Sequence, residues 1–136
     1  MKNSVIILLV VLLLSACNTK ETIRPKRDLF LPGVENLVLN KGTDNMASLS
    51  WSMPKTVPSE IQQPLNVLIE VKETIGLKTN TVASVMLPDA PTSFEAAVPN
   101  PEKTYTITVK VNGQLINPDP NYSSNIYSLG QTVQYN

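Results

Sequence analysis

From Val34 onward, apolar and polar side chains take turns along the chain. Ala47, Leu49 and Trp51 alternate with Ser48, Ser50 and Ser52. Leu65, Val67, Ile69 and Val71 fall on one side, with Asn66, Glu70 and Lys72 on the other; Leu68 interrupts that polar side and is a candidate interface position. Phe94, Ala96 and Val98 alternate with Ser93, Glu95 and Ala97, and Tyr105, Ile107, Val109 and Val111 with Thr104, Thr106, Thr108 and Lys110. A period of two is the signature of a strand with one buried face. Leu37 and Leu39 continue it at the start. The stretch from Ser124 to Tyr135 reads as a last strand, with Gly130 at a bulge or kink. Residues 78–87 are β-branched and polar with an ambiguous register, as suits an edge strand.

The pattern therefore predicts seven strands, at about 34–40, 46–52, 65–73, 79–87, 92–98, 104–112 and 124–134. Between them lie turn-forming runs such as Lys41 to Asn45, Pro54 to Pro64, Pro88 to Pro91, Pro99 to Pro101 and Asn117 to Asn121. No span after residue 34 keeps a helical period over ten residues. The expectation is an all-β, seven-stranded antiparallel two-sheet sandwich over residues 33–136. It follows an N-terminal signal helix and a tether.

The first residues carry a different pattern. Lys2 and Asn3 precede an unbroken apolar run from Val5 to Leu14. A spanning helix needs about 20 apolar residues, so this run is too short to be one. It has the length of the apolar core of an export signal behind a positive charge. Leu14-Ser15-Ala16-Cys17 follows. This junction resembles the lipobox of bacterial lipoproteins at all four positions. The resemblance implies cleavage of residues 1–16, diacylglycerol on the Cys17 sulfur and acylation of the new amino group. Several acyl chains anchor stably where one does not. Asn18 follows the cysteine where an Asp would favour inner-membrane retention, so the resemblance implies an outer-membrane address in the cell envelope. Residues 17–32 then read as a polar tether interrupted by Pro25, reaching up to about 50 Å if extended. Arg24, Lys26 and Arg27 read as a solvated linker. Leu29-Phe30-Leu31 is too apolar for a tether and is expected to fold back onto the domain.

Composition narrows the chemistry. The chain has 136 residues, room for one domain whose core needs no disulfide. Eleven basic and eleven acidic side chains cancel, which argues against nucleic acid as a partner. There is no His and one Cys. That excludes His-dependent triads and multi-Cys or His-based zinc sites.

The order of landmarks resembles a fibronectin type III domain, an immunoglobulin-like β-sandwich. Pro32 to Leu39 looks like its first strand. Leu49-Ser50-Trp51-Ser52-Met53-Pro54 looks like its second, with a core Trp followed by Pro. Thr104 to Gly113 looks like its sixth, with Tyr105 as the tyrosine-corner residue and Asn112-Gly113 as the exit. The long stretch 53–64 and the spacing of Pro99 and Pro101 depart from the family pattern. Similar small lipoproteins recur in Bacteroidetes.

Candidate chemistry is sparse. Glu70 and Glu73 are close enough in sequence to suggest an acid/base pair, but no cue builds a cleft around them. Asn117, Asp119 and Asn121 offer oxygens at alternate positions, without the Gly and bidentate Glu of a calcium loop. Ser48, Ser50 and Ser52 lack a His to activate them. No catalytic residue, metal site or cofactor is assigned, and the protein is read as no enzyme. Trp51 and Tyr105 are expected in the core, whereas Tyr122, Tyr127 and Tyr135 are available for recognition. The candidate binding surface is loop 113–123, where Leu115, Ile116 and Tyr122 offer apolar area stiffened by Pro118 and Pro120. The alternative is that Leu115 and Ile116 tuck under the sandwich. The functional expectation is a non-enzymatic outer-envelope lipoprotein. It joins the membrane through Cys17 and serves as an accessory or spacer module for a protein partner. A glycan-binding module of a polysaccharide-uptake system is the alternative, and an enzyme inhibitor a third.

Overall fold

A computed structural model describes residues 29–136, and the long regular elements among them are all β-strands. They are β1 Glu35–Lys41, β2 Met46–Ser52, β3 Asn66–Ile75, β4 Lys78–Leu87, β5 Ser93–Ala97, β6 Tyr105–Gln114, β7 Asn125–Tyr127 and β8 Gln131–Tyr135. All pair antiparallel. One sheet has the order β1-β2-β5. The other has the order β4-β3-β6-β7, with β8 also on β6. The inward residues of both sheets form a single apolar cluster, which makes the fold a two-layer β-sandwich. Ala47, Leu49 and Trp51 come from one layer, and Val67, Ile69, Val71, Ile107, Val109 and Val111 from the other.

The strand count is eight where the alternation predicts seven. The stretch read as one last strand is broken at Ser128–Gly130. Ser128 is buried, and its Oγ accepts the backbone N–H of Val111 at 2.8 Å while donating to the Leu129 carbonyl at 3.0 Å. A side chain thus takes the place of a ladder partner, which satisfies a buried N–H that would otherwise be orphaned. Gly130 follows because a Cβ there would lie 2.4 Å from Thr108 Cγ2. A second correction concerns Asn112-Gly113. These residues do not leave β6 but continue it to Gln114, with Asn112 opposite Tyr127 and Gly113 opposite Ile126. A third concerns Tyr135, which is buried rather than available.

Trp51 and Tyr105 are both core residues, 5% and 1% exposed. Each also satisfies its polar atom, as a buried aromatic with a polar tip must. Trp51 Nε1 donates to the Pro91 carbonyl at 2.7 Å. The Tyr105 hydroxyl accepts the Asn100 N–H at 3.1 Å, which pins the turn before β6. The Tyr105 and Tyr135 rings meet edge to face at 6.4 Å, a favoured geometry for aromatic pairs.

The two ends of the sandwich differ. At one end the connections are tight. β3 turns into β4 through Gly76-Leu77, with Gly76 at φ 60° supplying the left-handed first position of a two-residue hairpin. β1 reaches β2 through 42–45, where Asp44 and Asn45 also take positive φ. At the other end residues 53–65 and 115–124 form long loops, and the chain joins β1 there. Leu31 is 1% exposed and belongs to the core, Leu29 packs against it, and Phe30 stays exposed. β4 is the outer strand of its sheet, and its ladder shifts register at Val82, between the Val71–Ala83 and Lys72–Thr81 pairs. Such a bulge discourages pairing with another chain.

Candidate binding surface

The loop end is built by two segments that lock together. Ile61 and Leu115 form an antiparallel bridge. On either side of it Gln62 N donates to the Gln114 carbonyl at 2.7 Å, and Ile116 N to the Glu60 carbonyl at 2.9 Å. Leu115 N also donates to the Ser124 carbonyl at 2.9 Å, which draws the two ends of loop 115–124 together. The loop tip has its own turn, in which Asp119 Oδ1 accepts from Asn121 N and Asn121 Nδ2. This is the Asx geometry by which Asp organises a turn. The long connection after the Trp strand therefore has a structural use: it gives loop 115–124 a partner.

Beneath this crown the packing is close. Ile61 and Leu65 are buried, and a Cβ on Gly113 would lie 2.4 Å from Ile61 Cγ2. Only glycine lets β6 pass under the loop there. Leu31 Cδ2 would lie 3.5 Å from the same Cβ, so the N-terminal segment enters the domain directly beside the crown.

The three residues expected to bind sit on this crown in different states. Leu115 is half-buried, Ile116 is 55% exposed and Tyr122 is 41% exposed. Leu115 thus follows the tucked alternative in part, while Ile116 and Tyr122 present apolar surface.

Next to the crown lies a shallow depression of about 190 Å³. Five of its seven lining residues are amides: Gln62, Gln63, Asn66, Asn112 and Gln114. None of the seven is ionisable. Asn66 stands opposite Asn112 across the β3–β6 ladder, and Asn112 opposite Tyr127 across β6–β7. Residues paired across a ladder project to the same face. Tyr127, 48% exposed, therefore leaves the sheet beside the amides. Sequence reading missed this group because its members come from three separate segments. Only the register of β3, β6 and β7 brings them together.

The remaining candidates are accounted for locally. Glu70 accepts from Lys110 Nζ at 2.8 Å and has Lys72 Nζ at 4.0 Å; Glu73 pairs with Lys103 at 2.6 Å. Each carboxylate has its own cation, and the two lie on opposite faces of β3 by alternation. The Lys110 hydrogen bond holds the Glu70 carboxyl below its ordinary value, partly opposed by burial. Glu73 beside it raises the Lys103 ammonium above its ordinary value. Ser50 and Ser52 face solvent. Among the described residues no group of three or more His, Cys, Asp or Glu is arranged to hold a metal ion. Cys17 and the basic positions Arg24, Lys26 and Arg27 lie outside the described residues.

The family described as Domain of unknown function (DUF4945) matches residues 17–135, and the chain belongs to that family. No curated protein matches it.

Proposed function

We propose that the chain is a non-enzymatic lipoprotein of the outer cell envelope, anchored at Cys17. Its sandwich is a fibronectin type III-like accessory module that makes protein–protein contacts. The anchor rests on the Leu14-Ser15-Ala16-Cys17 junction behind the apolar run. The fibronectin type III-like reading is supported by Trp51 in the second strand and by the Tyr105 hydroxyl on the backbone five residues upstream. A sheet of order β1-β2-β5, and a second of order β4-β3-β6 with β7 and β8 both paired to β6, support it as well.

The observation that carries the binding role is the interlocked crown. Two loops that share backbone hydrogen bonds hold Ile116 and Tyr122 at the surface. A surface ordered before contact loses little entropy when a partner docks. The tether joins at this same end, so a partner seated on the crown lies toward the membrane. Residues 17–28 extend about 40 Å at most, which sets the reach of that contact.

Two variants of the full chain test the proposal in one envelope preparation. Cys17→Ala is expected in the soluble fraction, and the wild type in the membrane fraction with an acyl increment in its intact mass. A triple change of Leu115, Ile116 and Tyr122 to Ser, with its fold checked by circular dichroism, is expected to weaken crosslinked capture of the partner tenfold or more, about 1.4 kcal/mol. Membrane retention of Cys17→Ala without an acyl increment on the wild type removes the anchor. Undiminished capture by the triple variant removes the crown.

A further inference from the structure

The outer face of the five-stranded sheet can be read in rows from its ladders. Toward the tight turns the rows are charged and hydroxylated. Lys72 stands between Thr81 and Thr106, and Glu70 between Ser84 and Thr108. In the next row Leu68 stands between Met86 and Lys110. The last row, toward the loops, is Asn66, Asn112 and Tyr127. Gln62 and Gln63 of the long loop and Gln114 at the end of β6 complete it as the wall of the amide depression.

We propose that this last row binds a neutral saccharide. One sugar ring lies on the face of Tyr127, and its hydroxyls reach into the depression. Gln62, Gln63, Asn66 and Gln114 reach the surface, and each of these amides presents two N–H donors and a carbonyl acceptor. Asn112, in contrast, is buried at the base of the row, and its Nδ2 donates to the Ile126 carbonyl at 3.4 Å. Each sugar hydroxyl is a donor and an acceptor at once, so the two groups satisfy one another in pairs. The apolar C–H face of the ring matches the half-exposed Tyr127 ring, an amphipathic surface that binds one apolar side and leaves its hydroxyl wet.

The alternatives fit less well. An anionic ligand would need a cation, and Lys110, in the adjoining row, is already hydrogen-bonded to Glu70. Nucleic acid would need several phosphate contacts of the same kind. An apolar peptide side chain would cover the amides without replacing their hydrogen bonds to water, which is costly. The depression is smaller than the roughly 300–1,000 Å³ of pockets that enclose a drug-sized ligand. It therefore seats one ring. The rest of an oligosaccharide lies along the sheet, where Met86 and Leu68 offer an apolar strip in the neighbouring row.

This site does not depend on the anchor. Although it shares the Gln62–Gln114 segment with the crown, its lining contains none of the side chains changed in the crown variant. A soluble Cys17→Ala protein, or a crown variant that keeps its protein partner, leaves the expected saccharide binding unchanged. The probes are neutral hexasaccharides of glucose, mannose, galactose and xylose, with polygalacturonate as the charged comparison. The full chain is titrated with each by calorimetry and by NMR of the side-chain amide groups. At least one neutral hexasaccharide is expected to bind and to shift the Asn66 and Gln114 amide resonances. Tyr127→Ala is expected to weaken that binding tenfold or more, about 1.4 kcal/mol, at an unchanged thermal midpoint. Tyr127→Phe is expected to retain it, because the ring face does the binding. Silence of both amide resonances with every neutral probe overturns the proposal. So does binding that survives Tyr127→Ala, or polygalacturonate binding as tightly as the best neutral probe.

Discussion

At one end of the sandwich Gly76 and Leu77 alone turn β3 into β4, while at the other the chain spends residues 53–65 to travel from β2 to β3. The tight end is fixed by backbone geometry, by one hydroxyl and by short cross-links between its connections. Val98 N donates to the Asn45 carbonyl at 2.7 Å, Thr74 N to the Thr104 carbonyl at 3.0 Å, and Lys103 pairs with Glu73. Gly76, Asp44 and Asn45 take the left-handed angles that its turns require, and Tyr105 holds the corner at Asn100. The loop end is fixed by contacts between segments far apart in sequence. Ile61 meets Leu115, Gln62 meets Gln114, and Leu31 and Leu65 close over Gly113. Both ends use turn geometry and contacts between distant segments, but only at the loop end do two long loops bridge one another, and both candidate binding surfaces lie at that end.

The largest expected effect comes from opening the loop end at its base. Trp51 is buried near the end of β2, and its indole N–H holds the Pro91 carbonyl of the segment between β4 and β5. Truncating a buried aromatic costs about 3–5 kcal/mol, against a total stability of about 5–15 kcal/mol. Trp51→Ala is expected to lower the urea midpoint by a corresponding share. The wild-type fluorescence, which comes from the one Trp of the chain, is expected to be blue-shifted and poorly quenched by iodide. Emission of a solvent-exposed indole together with an unshifted midpoint would take Trp51 out of the core.

Tyr105→Phe probes the tight end and is expected to do less. The ring keeps its edge-to-face contact with Tyr135 and only the acceptor of the Asn100 N–H is lost. One hydrogen bond is worth about 0.5–1.5 kcal/mol net. Hydrogen exchange is expected to quicken at Asn100 beyond the global change, with Gln62 and Ile116 at the loop end following the global change alone. A loss as large as that of Trp51→Ala, or quickening at both ends alike, would mean that the two ends are not specified separately.

The same contrast explains how much the sequence reveals. Alternation placed Ala47, Leu49, Trp51, Val67, Ile69, Val71, Ile107, Val109 and Val111 on inward faces, because a strand's two faces are written in adjacent residues. Trp51 and Tyr105 were legible as landmarks for the same reason. The break at Ser128 was not, since a serine standing in for a ladder partner looks in sequence like any polar strand position. Asn112-Gly113 reads as a turn, yet it is a strand under a crowded loop. The reason is Ile61, some fifty residues away. Tyr135 looked available because its partner Tyr105 lies in another strand. The amide row was invisible altogether, because it is assembled by the registers of β3, β6 and β7.

The smallest expected effect lies where the two kinds of surface meet, at the Glu70–Lys110 pair. Lys110 stands in the row between the neutral amides and the charged rows, and Glu70 reaches it from one row nearer the tight turns. Their side chains are 20% and 31% exposed, so solvent screens the pair, and pairs of this kind contribute about 0–1 kcal/mol. The hydrogen bond from Lys110 holds the Glu70 carboxyl below its ordinary value in the folded protein. A carboxyl whose folded-state pKa is depressed stabilises the fold while it is ionised in both states. The contribution is therefore full above the unfolded-state value and fades as the pH falls through the lower, folded-state one. Glu70→Gln is expected to cost less than about 1 kcal/mol at pH 7, and the two urea midpoints are expected to converge in acid. Raising the salt concentration at pH 7 is expected to narrow the same gap, because the pair is partly exposed. A gap that persists undiminished in acid would show that Glu70 acts through its shape and hydrogen bonding rather than its charge. The border between the neutral and charged rows would then have no electrostatic meaning.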